Sequence, residues 1–115
     1  MTQIHKPVYF AQATTWEILG NLSYADGTPF DLATAGASVQ WKVEDSSGNL
    51  IVQASSGGGT ITFTGVPGQC LIVLPAAATN KAVGSYADQL QATDSTGYTS
   101  LQWSGQFNVT KSFFV

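Results

Sequence analysis

The segment from Gly84 to Tyr98 is the feature that most limits what this chain can fold into. An alternating strand runs into the turn Asp94-Ser95-Thr96-Gly97, and the alternation resumes beyond it. The same turn chemistry occurs at Asp45-Ser46-Ser47-Gly48, after another alternating strand. In such turns the aspartate accepts backbone N–H bonds and the glycine supplies a positive φ. Two copies of the same hairpin turn predict an antiparallel β domain.

Alternation of period two recurs along most of the chain and is broken every 8 to 12 residues by turn residues. This pattern predicts an all-β fold, an immunoglobulin-like two-sheet antiparallel sandwich of seven to eight strands. Residues 76–83 form the one helical candidate, a short turn between the sheets. We expect a bulge or kink at Gly20 and a bulge at Ser104-Gly105.

The length of 115 residues fits a single domain. Its sandwich should span about residues 14–110, between an N-terminal segment of about 1–13 and an apolar tail of 111–115. The single cysteine, Cys70, alternates with apolar neighbours, so we interpret it as a small buried side chain.

The charge balance excludes a phosphate-binding groove. Charged residues make up 10% of the chain, all four cations are lysines and the formal net charge is −3. We therefore expect no nucleic acid partner. No apolar run reaches the length of a signal peptide or a membrane helix. The sequence thus predicts no membrane partner and synthesis in the cytoplasm.

Residues for catalysis or metal binding are scarce. The only histidine, His5, stands near the N-terminus with no held nucleophile beside it. The carboxylates of Asp26, Asp31, Glu44 and Asp45 match the spacing of no calcium loop. We expect no catalytic residue, no cofactor and no metal, and therefore no enzyme.

Asp88 should lie on the same face of its strand as Tyr86 and Leu90, because the three residues are spaced two apart. If that face is the core, burial of the carboxylate carries a high desolvation cost. The sequence leaves three interpretations open. The residue could lie at a bulge or strand edge, it could be buried and hydrogen-bonded to a turn, or it could serve an active site.

The second half of the chain carries a recognisable order of motifs. Leu74-Pro75 leads into an alanine-rich turn, then into "GSYADQLQATDSTG" at residues 84–97 and "GQFNV" at residues 105–109. This order resembles the immunoglobulin-like domains of tailed bacteriophages and prophages, most closely the N-terminal domain of the baseplate upper protein family. The resemblance covers about residues 14–110. It implies a non-enzymatic structural protein of a phage or prophage tail or baseplate, located in the virion.

The two apolar ends of the chain are candidate assembly contacts, which would join copies of the chain into a homo-oligomer or bind other virion proteins. These candidates are Tyr9, Phe10, Phe113, Phe114 and Val115. An alternative is a binding module that recognises a cell-surface carbohydrate or receptor through the loops at residues 26–34, 55–59 and 95–98. Exposure of Tyr98 and Trp103 on one rim would support this alternative.

Overall fold

The computed structural model describes residues 3–4 and 8–113. Its secondary structure consists of nine β-strands and one 3-10 turn at Ala76–Ala78. The strands are β1 (Gln3–Ile4), β2 (Val8–Ala11), β3 (Trp16–Asn21), β4 (Ser38–Glu44), β5 (Leu50–Ser55), β6 (Ile61–Phe63), β7 (Gln69–Leu74), β8 (Gly84–Thr93) and β9 (Thr99–Thr110).

The strands form two sheets that pack face to face. The larger sheet has the order β1-β9-β8-β4-β5, and β2 also pairs with β9. The smaller sheet has the order β3-β7-β6. The predicted all-β, two-sheet, immunoglobulin-like sandwich is confirmed, and the helical candidate at residues 76–83 is reduced to one short turn.

The N-terminal part of the chain differs in detail from the prediction. Both β1 and β2 pair with β9 in parallel, whereas every other ladder is antiparallel among the described strands. Val8 and Phe10 pack against the core, so burial of these side chains draws β2 into the larger sheet. The sandwich therefore begins before residue 14.

The two repeated turns form as their sequences predict. Asp94 Oδ1 accepts hydrogen bonds from the backbone N–H groups of Thr96 and Tyr98, at 3.0 and 3.1 Å. Asp45 Oδ1 accepts the corresponding bonds in the first turn. Gly97 and Gly48 have φ of 90° and 84°, a region that favours glycine. Each turn thus fixes the register of the hairpin that it closes.

The core lies between the sheets and is centred on aromatic side chains. Trp41 of β4 is fully buried, as expected for the central tryptophan of an immunoglobulin-like sandwich. Its ring centroid lies 5.4 Å from that of Phe107. Phe107 also contacts the rings of Phe10 and Trp16. The inward residues of both sheets therefore form one continuous cluster.

Neither Gly20 nor Ser104-Gly105 carries a bulge. The β3–β7 ladder continues through Gly20 without a register shift, and the missing side chain instead makes room for the ring of Trp103. In β9 the register shifts at Gln102, since Leu90 pairs with Trp103 and the next residue of β8 pairs with Leu101. Within the described residues, no helix has the length and apolar character needed to cross a membrane.

Candidate functional site

A groove lies on the outer face of the larger sheet. Its volume is about 540 Å³. Three neighbouring strands, β4, β8 and β9, supply all of its lining. The lining residues are Gln40, Lys42, Glu44, Ala87, Asp88, Gln89, Gln91, Leu101, Ser104 and Gly105.

Strand alternation explains why these side chains share one face. On β4 the residues between the buried Val39, Trp41 and Val43 are all exposed. Register with the neighbouring strands then arranges the outward residues in rows across the sheet. Each residue faces a partner on the next strand at a spacing of about 4.8 Å. The rows are Gln40–Gln91–Leu101, Lys42–Gln89–Ser104 and Glu44–Ala87.

The wall and floor of the groove differ in side-chain size. Gln40, Lys42 and Glu44 form a continuous row of long side chains along β4. On β9, Ser104 and Gly105 present short groups beside Leu101, and on β8 the short Ala87 precedes the longer Gln89 and Gln91. The lowest part of the groove is therefore at Ala87, Ser104 and Gly105.

The amides of the groove are free to bind a ligand. Gln12, Gln69, Gln102 and Gln106 use their amide groups in hydrogen bonds within the fold. By contrast, the amides in the groove, on Gln40, Gln89 and Gln91, make no hydrogen bond with another described residue. Each such amide offers two N–H donors and a carbonyl acceptor.

The groove carries little net charge. Lys42 and Glu44 are the only charged side chains on its outer surface, and they have opposite signs. The carboxylate of Asp88 belongs to the buried side of the sheet, because this residue is 3% exposed. The surface therefore suits a neutral ligand with both donors and acceptors better than an ion.

Two tryptophan indoles hold the carboxylate beneath the groove. Asp88 Oδ2 accepts a hydrogen bond of 2.8 Å from Trp41 Nε1 and one of 3.2 Å from Trp103 Nε1. Of the interpretations left open by the sequence, burial with hydrogen bonds is the one observed, although the donors are indoles and not turn residues. Asp88 lies in the interior of the sheet, between β4 and β9, and not at an edge.

The other candidate catalytic and metal-binding residues are dispersed. Asp26 and Asp31 accept bonds from nearby threonines, and Asp45 fixes its turn. Among the residues that the structure describes, no three His, Cys, Asp or Glu side chains are close enough to hold a metal ion. Burial raises the pKa of Cys70 to about 11. His5 lies outside the described residues.

The loops that the sequence singled out converge near the start of β4, where the ring centroid of Phe30 lies 6.3 Å from that of Tyr98. Ser56 N–H donates to the carbonyl of Val39, and Ser95 lies within 4 Å of the position that a Cβ on Gly36 would take. Tyr98 is 48% exposed at this end. Trp103 is half-buried between the sheets, so the two aromatic residues share no rim. The loop interpretation therefore loses the support that this pair would have given.

A smaller cleft of about 370 Å³ lies at the same end, between residues 29–33 and 63–69. Phe63 and Val66 are partly exposed in its lining. Both oxygens of Asp31, its only acidic residue, accept hydrogen bonds from Thr34. The cleft thus offers an apolar surface and no free polar group of the kind found in the groove.

The predicted assembly contacts fall into three groups. Phe10 packs within the core, against Trp16 and Phe107. Tyr9 and Phe113 are exposed, at 68% and 89%. Phe114 and Val115 lie outside the described residues. Contact between copies of the chain through Tyr9 and Phe113 stays a prediction, which light scattering over a concentration series tests.

The groove residues were not recognised from the sequence, although a signal was present. Gln40, Gln89 and Gln91 all occupy outward positions of strands whose inward positions are apolar except at Asp88. What the sequence does not give is the lateral order of the strands. Only that order brings β4 next to β8 and places the three amides side by side.

Comparisons with known proteins give likenesses among solved structures. No protein-family model and no curated protein matches the chain. Among solved structures, the chain is similar to the crystal structure of CopC from Methylosinus trichosporium OB3b. The two chains are 19% identical, and the match covers 90% of this chain and 82% of that chain with a TM-score of 0.48.

This finding corrects the function predicted from the phage resemblance. The solved structure reported above is that of a CopC and not of a virion protein. The predictions of a structural protein of a phage or prophage particle and of a virion location are therefore wrong. The motifs behind that resemblance are hairpin turns and strand alternation, which many unrelated β-sandwiches share.

Proposed function

We propose that this chain is a non-enzymatic binding module that takes a neutral carbohydrate in the groove on the larger sheet. The observation that carries the proposal is the set of three amides, on Gln40, Gln89 and Gln91, that make no hydrogen bond with another described residue. Their donors and acceptors match the hydroxyl groups of a sugar, each of which also donates and accepts.

The charge and shape of the groove favour this ligand class over the alternatives. The opposite charges of Lys42 and Glu44 leave no net charge to attract an anion or a cation. The side chain of Leu101 supplies one apolar contact for the C–H face of a sugar ring. No aromatic ring lines the groove among the described residues. Binding should therefore be weak, with a Kd of about 0.1 to 1 mM.

A non-enzymatic role is supported by the chemistry of the groove lining. Its polar side chains are amides, one lysine, one glutamate and one serine, and the Asp88 carboxylate beneath them is engaged by two indoles. A glycosidase places two carboxyl groups on either side of the scissile bond. Glu44 alone is exposed in this groove, which supports binding without hydrolysis.

An NMR titration with neutral oligosaccharides tests the proposal. The backbone amide signals of β4, β8 and β9 should shift, and those of the smaller sheet should not. Gln89→Ala and Gln91→Ala should each weaken binding by about three- to tenfold, the equivalent of one hydrogen bond. Gln53→Ala is the matched control, because Gln53 is exposed on β5 of the same sheet but outside the groove.

Two results would reject the proposal. One is the absence of any shift in the groove at about 10 mM oligosaccharide, well above the expected Kd. The other is an equal loss of affinity in Gln53→Ala and Gln89→Ala, because such a loss would not depend on the groove. Shortening of the oligosaccharide during the titration would reject the non-enzymatic part alone.

A further inference from the structure

The direction of the groove limits the shape of its ligand. Its lining follows β4 from Gln40 to Glu44, β8 from Ala87 to Gln91 and β9 from Leu101 to Gly105. Four residue steps along a strand span about 14 Å, and two strand spacings span about 10 Å. The site is thus longer along the strands than across them.

Hydrogen-bonding groups occur along the full length of the groove. Gln91 and Gln40 face each other at one end, beside Leu101. Gln89, Lys42 and Ser104 form the middle row, and Glu44 with Ala87 forms the other end. A single sugar ring would reach one end and the middle only. The last row would then stay unused.

We propose that the ligand is an extended, unbranched neutral glycan that lies along β9, with about three linked sugar units in the groove. This inference rests on the proposed function and adds the length and direction of the ligand. The side chains of β4 form one wall over the whole length. The short side chains of Ala87 and Ser104 let the chain approach the sheet closely.

The end of the groove at Ala87, which one end of the glycan would occupy, provides a specific test. Ala87 is exposed on β8, so a longer side chain there changes the groove and not the core. Ala87→Gln should block the end near Glu44 and leave the end near Leu101 open. Ala77→Gln is the matched control, because Ala77 is exposed in the 3-10 turn and lies outside the groove.

The experiment uses calorimetry to measure the affinity for glucose and for cello-oligosaccharides of two to five units. Malto-oligosaccharides of the same lengths, whose chains are coiled, serve as the comparison. We expect at least a tenfold gain from one unit to three and little gain beyond four. In Ala87→Gln the gain from two units to three should disappear, whereas Ala77→Gln should keep it. The maltose series should bind several-fold more weakly at three units.

Each contrary outcome has a distinct meaning. Equal affinity for glucose and for the five-unit chain, with weaker binding in Gln89→Ala, would overturn the extended ligand and leave the proposed function standing. Equal affinity for the cello and maltose series would also overturn the extended shape. If no sugar of either series binds, the inference and the proposed function both fail. Binding of a polar peptide in the same groove, with no sugar bound, would reject both as well.

Discussion

The indole nitrogen of Trp41 donates a 2.8 Å hydrogen bond to the carboxylate of Asp88, a residue that is 3% exposed. The same carboxylate oxygen accepts the indole N–H of Trp103 at 3.2 Å. The carboxylate thus links β4, β8 and β9 at the level where these strands form the groove. A buried polar centre of this kind fixes the relative position of strands because its partners cannot slide apart without losing hydrogen bonds.

Asp88→Ala should lower the free energy of unfolding by about 2–4 kcal/mol, since it leaves two indole donors without this acceptor in the core. Asp88→Asn keeps one acceptor oxygen and should cost less. Urea unfolding followed by tryptophan fluorescence measures both. Glu17→Ala, an exposed carboxylate on β3, is the control and should change stability by less than about 0.5 kcal/mol. A loss in Asp88→Ala no larger than this would show that the indole contacts contribute little.

Gly20 and Trp103 make a close contact between the two sheets, which Gly20→Ala should disturb. A Cβ at position 20 would lie 3.0 Å from two ring carbons of Trp103 and 3.1 Å from the sulfur of Cys70. Overpacking at such a site typically costs about 1–3 kcal/mol. Gly57→Ala is the control, because a Cβ there meets no atom within 4 Å. Equal stability of the two variants, measured by thermal unfolding, would contradict this account of Gly20.

The fold was accessible from the sequence because it depends on local patterns. The alternation of Val39, Trp41 and Val43, and the turns that begin at Asp45 and Asp94, each lie within a few residues. The all-β class follows directly from such signals. The parallel pairing of β2 with β9 does not, because it joins residues about a hundred positions apart.

The candidate site was not accessible in the same way. Asp88 is 47 residues from Trp41 and 15 from Trp103 along the chain. The alternation of the strand predicted that its carboxylate would face the core. It could not predict which hydrogen-bond donors would offset the desolvation cost of burying that carboxylate. The groove likewise depends on which strands become neighbours, and that order is set by packing of the two sheets.

Acid should destabilise the protein through the carboxylates of its turns. Hydrogen bonds, first from the Thr96 hydroxyl, lower the pKa of Asp94, and those from the backbone N–H of Asn49 lower the pKa of Asp45. In the unfolded chain both groups titrate near about 3.9. The unfolded state therefore binds more protons as the pH falls, and stability present above about pH 5 is lost below it.

Urea unfolding at about pH 7 and pH 3 measures this loss. In Asp45→Asn and Asp94→Asn the difference between the two pH values should be smaller than in the parent chain, because one titrating group is gone. Glu17→Gln serves as the control, since Glu17 makes no hydrogen bond with another described residue. An unchanged pH difference in both turn variants would mean that other groups cause the acid destabilisation.

The thiol of Cys70 should be protected in the folded protein. It is fully buried, beside Gly20, and burial raises its pKa to about 11. The thiolate is the reactive form, so both access and ionisation oppose reaction near pH 8. An aromatic disulfide reagent should therefore react at least about a thousandfold more slowly with the native chain than with the unfolded chain. The unfolded chain in concentrated guanidinium supplies the reference rate. Reaction of the native thiol then requires opening of the sandwich. Gly20→Ala should therefore speed the reaction, whereas Gly57→Ala should not. A native rate close to the reference rate would contradict this account, because it would mean that the two sheets separate readily at β3 and β7.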